Sequence, residues 1–182
     1  MSQVIDTVVI GGGLHGLSAA LHLARAGQRV VLLEKSWVGR HASGGSAAGV
    51  RTLNRDLAEI PISLEAMDMW HRIEAIVGDH CGFHSHGQMH VAEFPEHLPR
   101  LQARLALVRG AGYVHEELID RAELLRLLPG ISPHCLGALI ARHDGAVDQF
   151  LVHIAGAAHQ RQPGLQPRQV LGELGHMHLP VG

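Results

Sequence analysis

Near the start of the chain, the run Gly11-Gly-Gly-Leu-His-Gly16 stands between two short apolar stretches. Ile5-Asp-Thr-Val-Val-Ile10 precedes it, and a helical pattern and then Arg29-Val-Val-Leu-Leu-Glu34 follow. Each residue type in that spacing has a physical task. Gly11 permits a tight turn. Gly13 has no Cβ, so a bulky anion can approach the backbone. Gly16 lets a helix lie close to the preceding strand. The helix that opens here offers backbone N–H groups without intrahelical acceptors and the positive end of its dipole. Glu34 closes the second apolar stretch, where a carboxylate can accept hydrogen bonds from ribose hydroxyls. Strand, glycine turn, helix and acid-ended strand together are the arrangement that holds a dinucleotide pyrophosphate.

Glu34 argues against a 2′-phosphate, which favours a nearby arginine, and leaves NAD or FAD. An NAD domain would continue with a helix and a third parallel strand. Here the chain enters Gly39-Arg-His-Ala-Ser-Gly-Gly-Ser-Ala-Ala-Gly-Val-Arg51. Small residues let backbone lie against a flat or anionic ligand, and Ser43, Ser46 and backbone amides can donate to phosphate oxygens.

With these residues the chain resembles the FAD-dependent oxidoreductases of the D-amino-acid oxidase type, a group that includes sarcosine and glycine oxidases and the flavin subunits of related amine dehydrogenases. The shared pattern is GGGxxGxSxAxxLAxxG over Gly11–Gly27, then Glu34-Lys35, then the small-residue loop from Arg40 to Arg51. The resemblance extends through Asp56-Leu-Ala-Glu-Ile-Pro-Ile-Ser63 and Asp144-Gly-Ala-Val-Asp148 and covers about residues 5 to 150. It implies an α/β fold: a Rossmann-like FAD-binding βαβ unit followed by the start of a mixed α+β substrate domain. The positions it implies for FAD are Gly11, Gly13, Leu14, His15, Gly16, Glu34, Lys35, His41, Ala42, Ser43, Gly49 and Val50. In this group a flavin takes a hydride from the carbon beside an amine nitrogen, while the protein orients the substrate and excludes water. Arg51, at the end of the loop, is the substrate-side candidate, because a guanidinium can pair with a substrate carboxylate. No other catalytic residue is assigned.

The elements that must position these groups are legible from periodicity. Leu14, Leu17, Leu21 and Ala24 mark one face of a first helix that Gly27 stops. Ile60, Leu64, Met67, Trp70, Ile73 and Val77 predict a long helix over 57–77, ended by Gly78. Phe83 to Glu93 alternates and predicts a strand. Leu98, Leu101, Leu105 and Val108 predict a third helix before Gly110. Asp120-Arg-Ala-Glu123 resembles a capping box and Pro129-Gly130 closes the short helix it opens. Leu136 to Ala141 predicts another strand. The expected division is a dinucleotide-binding part over 1–80, the start of a substrate domain over 81–148, and a partial return helix with an irregular tail over 149–182. Leu151–Ala158 is the expected helical piece. Residues 160–182 read as irregular, the product of a frameshift or truncation, since the resembled group is considerably longer.

The chain carries 16 histidines. His84, His86 and His90 would share one face of an extended strand 83–93, but no fourth ligand stands at zinc spacing and Cys81 falls on the opposite parity, so no metal is expected. A net charge of −2 gives no reason to expect nucleic acid. Cys81 and Cys135 form no CxxC pair and imply no disulfide framework. Apolar runs are too short to span a bilayer, and the glycines and Asp6 exclude a signal-peptide reading of the N-terminus. The resemblance thus implies a fragment of a cytoplasmic flavoprotein that in its intact form oxidises an amine or amino acid and that is inactive alone, with a partner subunit or a second copy as the candidate means of completing it. A non-catalytic nucleotide-binding remnant and an NAD-linked dehydrogenase are the alternatives.

Overall fold

A computed structural model describes residues 4–45 and 48–147, which fall into two compact units meeting in sequence at Ala47/Ala48. Ser46, Asp148 and the expected helix and tail after Phe150 lie outside the described residues.

The first unit is a βαβ crossover. Strand β1 (Thr7–Ile10) and strand β2 (Val30–Leu33) pair in parallel, Thr7 opposite Val30 through Ile10 opposite Leu33, and helix α1 (Leu14–Arg25) connects them. Two β-branched-rich runs make the strands, and the glycine turn leaves β1 just where the helix must begin. Gly27, at φ +82°, lets the chain reverse after α1. Asp6 then ties the entrances of both strands together: its carboxylate accepts from Arg29 N at 2.8 Å, Nε at 3.0 Å and Nη2 at 2.9 Å. The guanidinium lowers the Asp6 carboxyl to a pKa of about 2.

The second unit holds two antiparallel sheets. In one, β8 (Gly145–Val147) lies between β3 (Gly49–Val50) and β4 (Phe83–His84). In the other, β7 (Gly137–Ala141) lies between β5 (Gln88–Ala92) and β6 (Glu117–Asp120). All of β7 is buried. Its uninterrupted Gly-Ala-Leu-Ile-Ala sequence is what a central strand covered on both faces requires. The period of two sorts its side chains: Leu139 and Ala141 join Leu53, Ala92 and Leu101, whereas Ala138 and Ile140 join Ile119, Leu124 and Cys135. Leu101 comes from α4 (His97–Gly110) and Leu124 from α5 (Arg121–Leu127), so each helix contributes to a different layer. The Asp120 side chain accepts from Glu123 N at 2.9 Å and opens α5 as its sequence anticipates.

Two expectations are corrected. The helix predicted over 57–77 is two helices, α2 (Ile60–His71) and α3 (Ile73–Val77). The break at Arg72 follows the point where His71 is anchored, through Nε2 to His143 O at 2.9 Å and edge-on to Phe83. The strand predicted over 83–93 is also two, because Gly87 takes φ +78° and donates to Asp144 O, sending β4 and β5 into different sheets. By packing, the compact units meet before Ala48, where β3 pairs with β8 and residues 52–54 bond to residues 116 and 144.

Candidate functional site

The glycine turn of the first unit is held from two sides. Gly11 adopts φ +104°, a conformation that a side chain would strain. A Cβ on Gly16 would collide with Gly11 O, so this glycine is what allows α1 to sit against the turn. Gly12, absent from the expected contacts, is as tightly enclosed. Its N–H donates to Glu34 Oε2 at 2.8 Å, its carbonyl accepts from Gly39 N at 2.8 Å, and a Cβ there would lie 2.8 Å from Val38 Cγ1. The third consecutive glycine in the run was the available signal.

Glu34 therefore does more than end β2. Oε2 takes the Gly12 amide and Oε1 the Ser36 amide at 3.0 Å. These bonds, Gly12 first, hold its carboxyl below the ordinary carboxylate range, with a smaller contribution from His41. Lys35 is exposed. Ser43 reaches back to the start of α1, its Oγ accepting from Leu14 N at 3.0 Å, so one of the helix's unsatisfied amides is capped by the small-residue loop itself.

These contacts enclose a cleft of about 200 Å3 lined by Gly13, Glu34, Gly39, Arg40, His41, Ala42 and Ser43. Gly13 stands at the helix N-cap in extended conformation, and a Cβ on it would lie 3.2 Å from Ser43 Oγ. Complete small-molecule pockets run to roughly 300–1,000 Å3, so the cleft suits one portion of a dinucleotide. The donor set fits that portion: a helix N-terminus and a serine for phosphate, a carboxylate for hydroxyls. Sequence reasoning passed over Arg40, whose guanidinium lies 4.4 Å from the Trp37 ring centre and donates to Ser36 Oγ at 2.7 Å. His15 lies in the first turn of α1.

Gly49, Val50 and Arg51 belong to the second unit. Gly49 pairs with Ala146 and Val50 with Gly145. Arg51 Nη1 donates to Leu53 O at 2.7 Å, so part of its guanidinium is committed to its own segment. The histidines expected on one strand face separate. His84 and His86 stack at 5.4 Å, whereas Nδ1 of His90 meets Asn54 Nδ2 at 2.8 Å. Among the described residues no group of histidine, cysteine or carboxylate side chains is arranged to hold a metal ion. No helix there is long and apolar enough to cross a membrane.

A family profile described as FAD dependent oxidoreductase matches residues 6–166. The chain belongs to this FAD-dependent family. Rat (Rattus norvegicus) mitochondrial dimethylglycine dehydrogenase is 31% identical over 163 residues, which is 88% of this chain and 19% of the relative. The Escherichia coli gamma-glutamylputrescine oxidoreductase is 51% identical over 57 residues, 31% of this chain and 13% of the relative. Among solved structures, glycine oxidase from Bacillus cereus matches with a TM-score of 0.72 at 21% identity, covering 85% of this chain and 43% of that one, a likeness of fold. The chain spans about a fifth of the length of the first curated relatives.

Proposed function

We propose that the first unit binds FAD and that the protein oxidises the C–N bond of an amine or amino acid. Bound flavin would supply the hydride acceptor. The observation that carries the reading is the cleft between the glycine turn, Glu34 and the Gly39–Ser43 loop. Gly13 gives the pyrophosphate room, Gly11 and Gly16 shape the turn and seat α1 on it, the first turn of α1 and Ser43 donate to the phosphates, and Glu34 fixes the Gly12 amide while facing the ribose. His41 and Ala42 are part of the cleft lining, Leu14 and His15 open α1, Lys35 is exposed beside Glu34, and the family resemblance extends the FAD residues to Gly49 and Val50. Arg51 is the substrate-side cation. The amine-derived names of the relatives dimethylglycine dehydrogenase and gamma-glutamylputrescine oxidoreductase support the substrate class. A partner subunit or a second copy completing the site is part of the proposal. So is a cytoplasmic location, supported by the free thiols of Cys81 and Cys135, which suit a reducing compartment.

Ligand-dependent melting tests the cofactor. FAD raises the melting temperature of the first unit, ADP does so less, and NAD has no effect. Stabilisation by NAD alone would make the protein an NAD-linked one, and stabilisation equal for ADP and FAD would reduce it to a nucleotide-binding remnant.

A further inference from the structure

In the second unit, the backbone of residues 52–54 is fastened by two buried carboxylates that come from distant parts of the chain. Asp144, wholly buried, accepts from Thr52 N at 2.8 Å, Thr52 Oγ1 at 2.6 Å and Leu53 N at 2.9 Å. Glu116, whose side chain is 0% exposed, accepts from Asn54 N at 2.8 Å and is itself held by Arg104 Nε at 3.0 Å and Nη2 at 2.8 Å. Asn54 has φ +57°, a left-handed conformation that asparagine tolerates better than most residues with a side chain, and His90 holds that side chain. Three consecutive amides thus find carboxylate acceptors, although burying two carboxylates stabilises a fold less than apolar packing of similar volume would. What the fastened backbone presents is arginine: the exposed Arg51 immediately before it, bonded to Leu53 O, and Arg55 immediately after it, whose Nε donates to Arg51 O at 3.3 Å.

We infer that Asp144 and Glu116 are positioning residues that fix the Thr52–Asn54 backbone and through it hold the Arg51 guanidinium in one orientation for an anionic group. The inference rests on the reading of Arg51 as the substrate-side cation. Asp144 acts on the side of Arg51 and Glu116 on the side of Arg55. Removing the Thr52 hydroxyl weakens the first hold without changing side-chain shape, and serine at this position preserves it.

The test uses the full chain without flavin. The Nε–Hε resonance of Arg51, identified by its loss in Arg51→Lys, is recorded together with the rate of trypsin cleavage after Arg51. In the wild-type chain and in Thr52→Ser the resonance stands apart from those of solvated arginines and cleavage is slow. In Thr52→Val and Asp144→Asn the resonance moves to the solvated position and cleavage accelerates about tenfold or more, the factor that 1.4 kcal/mol of local opening produces. Glu116→Gln accelerates cleavage after Arg55 in the same way. Leu124→Ala, which removes packing from the other layer, among Ile119, Cys135, Ala138 and Ile140, leaves the Arg51 resonance in place. If Asp144→Asn does not fold, the Thr52 pair decides. An unmoved resonance and unchanged cleavage in Thr52→Val, or an equal response in Leu124→Ala, would overturn the inference. Acetate titrated into the wild-type chain examines the underlying reading separately: it shifts the Arg51 resonance if Arg51 receives carboxylates. Absence of that shift, with the variants behaving as described, would overturn the role of Arg51 and leave the fastening intact.

Discussion

Glu34 is the residue on which the first unit's cleft depends, because one carboxylate satisfies the amides of both the glycine turn and the segment after β2. Glu34→Gln retains a single side-chain acceptor oxygen and must release one of those amides, so FAD affinity falls several-fold, whereas Lys35→Ala, on an exposed side chain, changes it little. Because the folded carboxyl lies below its ordinary 4.5, its contribution is complete above that value and is lost as the pH falls through the lowered one. The affinity of the wild-type chain therefore stays flat from about pH 8 to about pH 5 and weakens only below, while Glu34→Gln is flat throughout. Flavin-fluorescence titrations across pH check both, and a break near neutrality in the wild-type curve would contradict this role. The glycine spacing and the acid were readable from the sequence because each meets a local steric or electrostatic need. The bond from Glu34 to Gly12 was not, since it joins residues 22 positions apart. Nor were the buried carboxylates, as Asp144 reaches Thr52 across 92 positions and nothing local distinguishes Glu116 from a solvated acid.

At the scale of elements, the sequence reads well where one element satisfies itself. The helix α1, the cap at Asp120 and the central strand β7 follow from periodicity and capping residues. It reads poorly where tertiary contacts decide. Strand β6 carries no alternation that separates it from a loop, and the breaks at Arg72 and Gly87 arise from bonds to His143 and Asp144. The three histidines lost their shared face for the same reason. Two substitutions separate these regimes. Asp120→Ala removes the acceptor for Glu123 N and costs about 1 kcal/mol. Leu139→Ala opens a cavity at a side chain with 0% exposure and costs roughly 2–5 kcal/mol. Urea unfolding followed at Trp70 in a Trp37→Phe background measures both, because only the second unit then reports. A Leu139→Ala cost no larger than that of Asp120→Ala would contradict the assignment of β7 to the core.

For the molecule as a whole, the chain belongs to the FAD-dependent family and spans about a fifth of the length of the first curated relatives. Among the described residues the cleft proposed for the cofactor is about 200 Å3, and Arg51 alone is assigned to the substrate side. The purified chain with added FAD should therefore show no amine or amino-acid turnover above free FAD in peroxide and dye-reduction assays. Flavin-dependent turnover well above that background would decide between the two proposed means of completing the site in favour of a second copy. Cofactor binding is the claim on which everything else rests, and Gly13 examines it most cleanly. Gly16 is so tightly packed that a substitution there would disturb folding itself, whereas Gly13 has an extended backbone open to any residue and lines the cleft. The measurement is a titration of FAD and of NAD into the wild-type chain and Gly13→Val. The wild-type chain binds FAD in preference to NAD, and the valine variant, folded and melting as the wild-type does without ligand, loses at least about tenfold in FAD affinity. Equal FAD affinity in the two proteins, or a preference for NAD, would contradict the account.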